Sequence, residues 1–283
     1  MHIEEGLGTE AHVHEARKSV KKARAVVRLL RQAGTPGIRK DERRLRDAGR
    51  TLSDLRDAAA VVATLDRVRQ AFPRRLSRHA LAIVHRGLVR ANARRIADAS
   101  EHGRVARTAK ALRAVRQSAT TWKVPSVDPL DLPDLLKTGY RAARKAMCRA
   151  QKSTCADDLH RWRKRVKTLW YQLRLLEGSV PALGDTIRDL DKLETILGEH
   201  HDLSVLEATI ADDASLRRAV ADRARLTELS TAMQTTLRRK ALRLGRRLLA
   251  PKPSVFADTV IGALSISRPN AADTDREAAE AAA

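Results

Sequence analysis

Two stretches, HEARKSVKKARAVVRLLR at residues 14–31 and HRWRKRVKTLWYQLRLL at residues 160–176, decide how this chain reads. With His160 placed over His14, an offset of 146, Val13, Ala16, Val20, Ala23, Val27 and Leu30 fall on Leu159, Trp162, Val166, Leu169, Leu173 and Leu176. Every position in the pairing is apolar. The spacing alternates three and four, the stripe by which a helix buries one face in a bundle. One residue further round, His14, Arg17, Lys21 and Arg28 fall on His160, Arg163, Lys167 and Arg174. These share one helical face, so each set is a basic ladder ~21 Å long at about 1.5 Å per residue. Lys18, Lys22 and Arg24 widen the first ladder, and the second holds no acid between His160 and Arg174.

The pairing continues beyond these stretches. At an offset of 145, Leu45, Leu52, Asp57, Val61 and Leu65 match Leu190, Leu197, Asp202, Leu206 and Ile210. A weaker match at 161 sets Leu76, Ala80, Leu81, Arg86 and Leu88 over Leu237, Ala241, Leu242, Arg247 and Leu249. The chain reads as one helical design written twice. Helices are predicted at about 11–33, 38–67, 73–99 and 104–121, then at about 133–150, 156–177, 183–211 and 215–249. Between the halves, KVPSVDPLDLPD (123–134) carries Pro125, Pro129 and Pro133, each lacking the amide donor a helix needs. The expected organisation is a first helical-bundle repeat at 1–122, a Pro-rich linker at 123–134, a second repeat at 135–250 and a flexible tail at 251–283. The fold class is all-α, two pseudo-symmetric helical-bundle repeats around a basic central cavity.

Composition bounds the function. Among 283 residues, 56 Lys and Arg face 34 Asp and Glu, a net charge of +22. A folded body so charged repels itself, and its natural complement is a polyanion. At 43% hydrophobic residues the chain has enough apolar surface for a core. Phe, Trp and Tyr number only 2, 3 and 2, which leaves few platforms for stacking single-stranded nucleic acid. Cys148 and Cys155 lie seven apart, the wrong spacing for a Cys-x-x-Cys motif, and are expected as reduced packing residues. No signal-peptide pattern and no membrane-spanning apolar run is present, so the expected location is the cytoplasm. Two converging basic ladders beside buried seams suit a groove holding a linear anion, since like charges brought together unneutralised disfavour each other.

The two quoted helices resemble the motif helices of the CHAD family, the conserved histidine α-helical domain. Leu55-Arg56-Asp57 and Leu197-Gly198-Glu199-His200-His201-Asp202 resemble its second-helix signatures, and the likeness extends over about residues 11–250. It implies two helical repeats around a basic cavity that binds inorganic polyphosphate, and association with polyphosphate granules; neither catalysis nor a cofactor is expected of this chain. The ligand contacts it implies are His14, Arg17, Lys21, Lys22, Arg28, His160, Arg163, Lys164, Lys167 and Arg174. Lys18, Arg24, Arg78, Arg86, Arg239 and Arg247 are candidates beside them. Asp57 and Asp202 are candidate orienting carboxylates, and His14 and His160 either donate to phosphate oxygens or bond to those carboxylates. The chain departs from the family pattern at Thr168 and Trp170, where basic residues are usual, and places Ser53 where the second repeat has Gly198. It also lacks the Glu-x-Glu-x-Lys strand of the triphosphate-tunnel domain often attached in this family.

Three rival functions remain in view. Nonspecific nucleic-acid binding follows from charge alone, although no zinc finger, basic zipper or ribonucleoprotein motif is present. A metal-dependent helical phosphohydrolase is suggested by His200-His201-Asp202 with His160 upstream, but Arg56-Asp57 at the matching place offers no such ligands, and no metal site is expected. A membrane-surface protein would need an apolar face that the bundle seams already use. Other granule proteins are possible partners alongside polyphosphate.

Overall fold

The computed structural model describes residues 10–101, 103–125, 132–178, 180–212 and 223–266. Its elements are α1 (Glu10–Gln32), α2 (Arg39–Ala71), α3 (Arg78–Glu101), α4 (Arg104–Ala119), α5 (Leu132–Lys152), α6 (Ala156–Arg174), a 3-10 turn (Pro181–Leu183), α7 (Gly184–Asp212), α8 (Arg223–Leu248) and α9 (Pro253–Ile266). Every regular element among the described residues is helical, so the protein is all-α as its periodicity requires. The turn after α1 follows from its glycines. Gly34 sits at φ +87°, its amide donates to Arg31 O, and the Thr35 amide reaches back to Leu30 O, closing the helix in a Schellman motif.

The apolar stripes turn inward, more completely on α6 than on α1. On α1, Val20 and Val27 are buried, and on α6 so are Leu159, Trp162, Val166, Leu169 and Leu173. Each such Val or Leu contributes about 1.5–3 kcal/mol by leaving water. Trp162 is wholly enclosed, and its ring lies so close to Gly245 of α8 that any side chain there would overlap it. α1 packs along α2 and α6 along α7, while α1 also meets α6 and α2 meets α7. One core joins α5, α6, α7, the end of α8 and α9. A second takes Val61, Leu65 and Val68 from α2, Val84 and Leu88 from α3, Leu203, Leu206 and Ile210 from α7, and Leu226, Leu229 and Leu237 from α8. The two sequence halves therefore share a core.

Two expectations need correction. The segment from Pro251, expected as flexible tail, contains α9, whose Phe256, Val260 and Ala263 enter the core at helical spacing. Proline at the first helical position removes an amide that has no intrahelical partner anyway, so Pro253 starts a helix rather than forbidding one. Tyr140 of α5 stacks on Phe256 with ring centroids 4.2 Å apart, and its hydroxyl lies 3.1 Å from Pro251 O. The rest of the expected tail, 267–283, lies outside the described residues, as does 126–131 of the linker. Cys148 and Cys155, expected to pack, are both exposed.

Candidate functional site

The α1 and α6 ladders meet in one cavity of about 620 Å³, flanked by α2 and α7. From α1 come Arg17, Lys21, Arg24 and Arg28, and from α6 His160, Arg163, Lys164 and Lys167, with Thr168 and Tyr171. α2 adds Arg46, Gly49, Arg50 and Ser53, and α7 adds His201 and Asp202. Among the described residues, nine Lys or Arg side chains and one carboxylate line this space.

The cations are held by different means. Arg17 is only 9% exposed and donates from Nη1 to the carbonyls of Leu52 and Ser53, both at 3.1 Å. Arg28 Nη1 donates to Thr168 Oγ1 at 2.6 Å, joining α1 to α6 across the groove. Arg163 Nη2 lies 3.0 Å from Glu194 Oε1, and Lys167 Nζ donates to the same oxygen. Burial acts to raise the Glu194 pKa, but Arg163, Lys167 and Lys21 outweigh it and hold the carboxylate below its ordinary value. Arg163 lies directly over Gly198, where a Cβ would sit 3.4 Å from its Nε and Nη2.

Lys21 has no such relief. Burial first, then the nearby charges of Lys167, Arg17 and Arg163, lower its pKa from 10.5 to about 7, against a smaller upward pull from Glu194. At about 1.4 kcal/mol per pH unit, its charged form carries a penalty of roughly 5 kcal/mol that an arriving anion would reduce. Arg24 Nε, Arg163 Nε and His160 Nδ1 are buried without hydrogen-bond partners. His160 stacks on His201 with centroids 3.9 Å apart, and burial, then His201, Lys164 and Arg163, lower its pKa to about 3. It is therefore neutral at ordinary pH. Asp202, a candidate partner for it, instead accepts from Arg67 Nη2 at 3.2 Å.

Of the residues singled out in the sequence, the cavity gathers Arg17, Lys21, Arg24, Arg28, His160, Arg163, Lys164, Lys167 and Asp202. The side chains of His14 and Asp57 lie outside the described residues. The others point elsewhere. Lys18 is exposed and pairs with Glu15 at 2.9 Å, and Lys22 is exposed. Arg174 lies over the Trp170 ring at 5.2 Å and pairs with Glu177. Arg78 and Arg86 line a separate cavity of about 790 Å³ between α2 and α3. That space is larger, but it gathers three arginines, Arg69, Arg78 and Arg86, with the carboxylate of Asp66 beside them, against the nine cations of the groove. Arg239 is exposed on α8, and Arg247 pairs with Asp189 at 2.6 Å.

Sequence reasoning missed Arg46 and Arg50, although 46, 49, 50 and 53 share one helical face opposite the ladder. It also missed Glu194, whose signal was an acid within the Leu190, Leu193, Leu197 seam. No group of three or more His, Cys, Asp or Glu among the described residues is placed to hold a metal ion. Among the same residues, no helix is long and apolar enough to cross a membrane.

By its fold and site this is an all-α protein in which two contacting ladders and their flanking helices line one groove with cations. The chain belongs to the CHAD domain family, whose model matches residues 2–211. The match ends at the C-terminal end of α7, short of the expected residue 250, so α8 and α9 lie beyond it. No curated protein and no solved structure matches the chain.

Proposed function

We propose that the protein binds inorganic polyphosphate in the groove between α1 and α6, without acting on it chemically, and that this binding associates it with polyphosphate granules in the cytoplasm. The observation that carries the proposal is the crowding of nine cations in one cavity, with Lys21 close to neutrality and three buried nitrogens unpartnered. A polymer of phosphates supplies closely spaced oxygens with no base edges to recognise, so it asks only for cations in register. Arginine meets such oxygens with a bidentate fork and lysine with a mobile point charge. Membership of the CHAD family supports the same ligand class. Nucleic acid binds here only through its phosphates, and no membrane is involved.

Arg163 and Lys167 are poor residues for the test, because removing them would strand the Glu194 carboxylate. Arg24, Arg46 and Arg50 line the groove without that duty. The triple variant Arg24→Ala, Arg46→Ala, Arg50→Ala should keep its helical circular dichroism and bind polyphosphate about 100-fold more weakly, at about 1 kcal/mol for each lost contact. Unchanged affinity in a folded triple variant would place the ligand elsewhere. Tighter binding of the wild type to duplex DNA than to polyphosphate at equal salt would replace this proposal with nonspecific nucleic-acid binding.

A further inference from the structure

A second basic cavity, of about 510 Å³, lies on the next face of α6, toward α5. Six cations line it, Arg28, Lys145, Arg149, Arg161, Lys164 and Arg165, against one carboxylate, Asp158. Arg28 and Lys164 also line the groove, so the two cavities share a cationic wall. The helix accounts for this. At about 100° per residue, His160, Arg163, Lys167 and Tyr171 cluster on one side of Lys164, while Asp158, Arg161 and Arg165 lie on the other. Lys164 is the ridge between them. On α5, Ala142, Lys145, Ala146 and Arg149 are spaced three, four and seven apart and face the same space, with the small Ala142 and Ala146 leaving it open. Asp158 is shared between Arg161 at 3.5 Å and Arg149 at 4.0 Å, which leaves most of the positive charge here uncompensated. Lys145 and Arg165 are exposed.

We infer that the α5–α6 cavity is a second subsite on one continuous track, which takes the part of a long polyphosphate chain that leaves the groove over Arg28 and Lys164. The inference rests on the groove being a polyphosphate site, and it adds a property that the groove alone does not confer: preference for chains long enough to occupy both cavities. A short chain fills the groove only. A long one gains a linked second contact without a second association cost, so the two contacts multiply.

The experiment compares tripolyphosphate with long-chain polyphosphate on the full-length protein, for the wild type and two charge-matched variants. The first variant is Lys145→Ala, Arg161→Ala, Arg165→Ala, which spares the shared Arg28 and Lys164 and leaves Arg149 beside Asp158. The second is Arg78→Ala, Arg86→Ala, Arg239→Ala, which removes the same charge away from the track. The expected result is a loss of about tenfold or more in long-chain affinity for the first variant only, with tripolyphosphate affinity unchanged. The salt dependence of long-chain binding should become shallower by roughly one power of salt concentration per lost phosphate contact. Unchanged long-chain affinity would overturn the track while leaving the groove intact. Equal losses in both variants, or for both ligands, would reduce it to net charge and overturn it too. Failure of the wild type to bind either ligand would remove the groove proposal and this one together.

Discussion

The α1 and α6 ladders present closely matched cations to the same groove but hold them against different backgrounds. On the α6 side, Arg163 and Lys167 rest on the buried Glu194 carboxylate of α7. At the matching place behind α1, α2 has Gly49. Arg17 is held there by the carbonyls of Leu52 and Ser53, while Lys21 meets mainly other cations. The α6 side thus meets a buried carboxylate at its centre, whereas on the α1 side Glu42 of α2 reaches only the end of the ladder, 3.9 Å from Arg28 and 3.5 Å from Arg31, and Lys21 is left among cations. Sequence similarity between two basic helices did not make them electrostatic equals, because the difference lies on the helix behind each: Glu194 backs α6, and Gly49 stands at the matching place behind α1.

The largest effect is expected from removing the α6 side's counter-charge. Glu194→Gln should cost about 3 kcal/mol of stability, the low end of the range for breaking a buried pair, because groove water still reaches both cations. Thermal unfolding with and without polyphosphate checks this. Ligand at about 100 times its dissociation constant should restore about 2.7 kcal/mol. A variant as stable as the wild type would show that Glu194 is not the anchor.

The converse change gives the middle of the α1 side a carboxylate. A Cβ at Gly49 would sit 3.4 Å from Val20 Cγ1 and 3.5 Å from Arg24 Nη1, ordinary contact distances. Gly49→Glu should therefore fold, gain roughly 1 kcal/mol of helix stability, and lose about tenfold in polyphosphate affinity. Equal or tighter binding would mean that the two sides do not differ in the way described.

The pH dependence isolates Lys21. With its pKa lowered to about 7 in the folded state from 10.5, the unfolded chain holds more protons between those values. Its contribution to stability therefore rises with pH across that window. A bound polyanion favours charged Lys21, so binding takes up a proton above pH 7 and weakens by up to about tenfold per pH unit there. Calorimetry in buffers of different ionisation enthalpy reads the uptake. Lys21→Arg, charged throughout, should abolish it, and persistence of the uptake would assign the proton to another group. The smallest expected effect is at the bridge between the sides: Thr168→Val loses the Arg28 hydrogen bond, about 1 kcal/mol of stability, with only a two- to threefold change in affinity.

Much of this architecture was legible along the chain because helix periodicity is local. The Val20, Val27, Trp162 and Leu169 stripe and the ladder one residue round from it both follow from about 3.6 residues per turn. The terminal helix was hidden because Pro251 and Pro253 carried the weight that belonged to Phe256, Val260 and Ala263. Thr168 read as a gap in the ladder, yet it receives Arg28 from the opposite helix. Arg174, with the stronger motif match, turned to Trp170 and Glu177 instead. A residue's own sequence neighbourhood does not reveal which helix will lie across from it.

The sequence by itself determined that the chain is helical, which stripe of each helix is apolar, and that it carries a basic excess in need of an anion. These depend on residue spacing and composition alone. Only the tertiary structure decided that Lys21 lies near Lys167, that Arg163 meets Glu194, and that Arg28 and Lys164 join two cavities. Charge interactions act through space between groups far apart in the chain, and burial sets their strength, so their outcome became fixed only when the helices were packed.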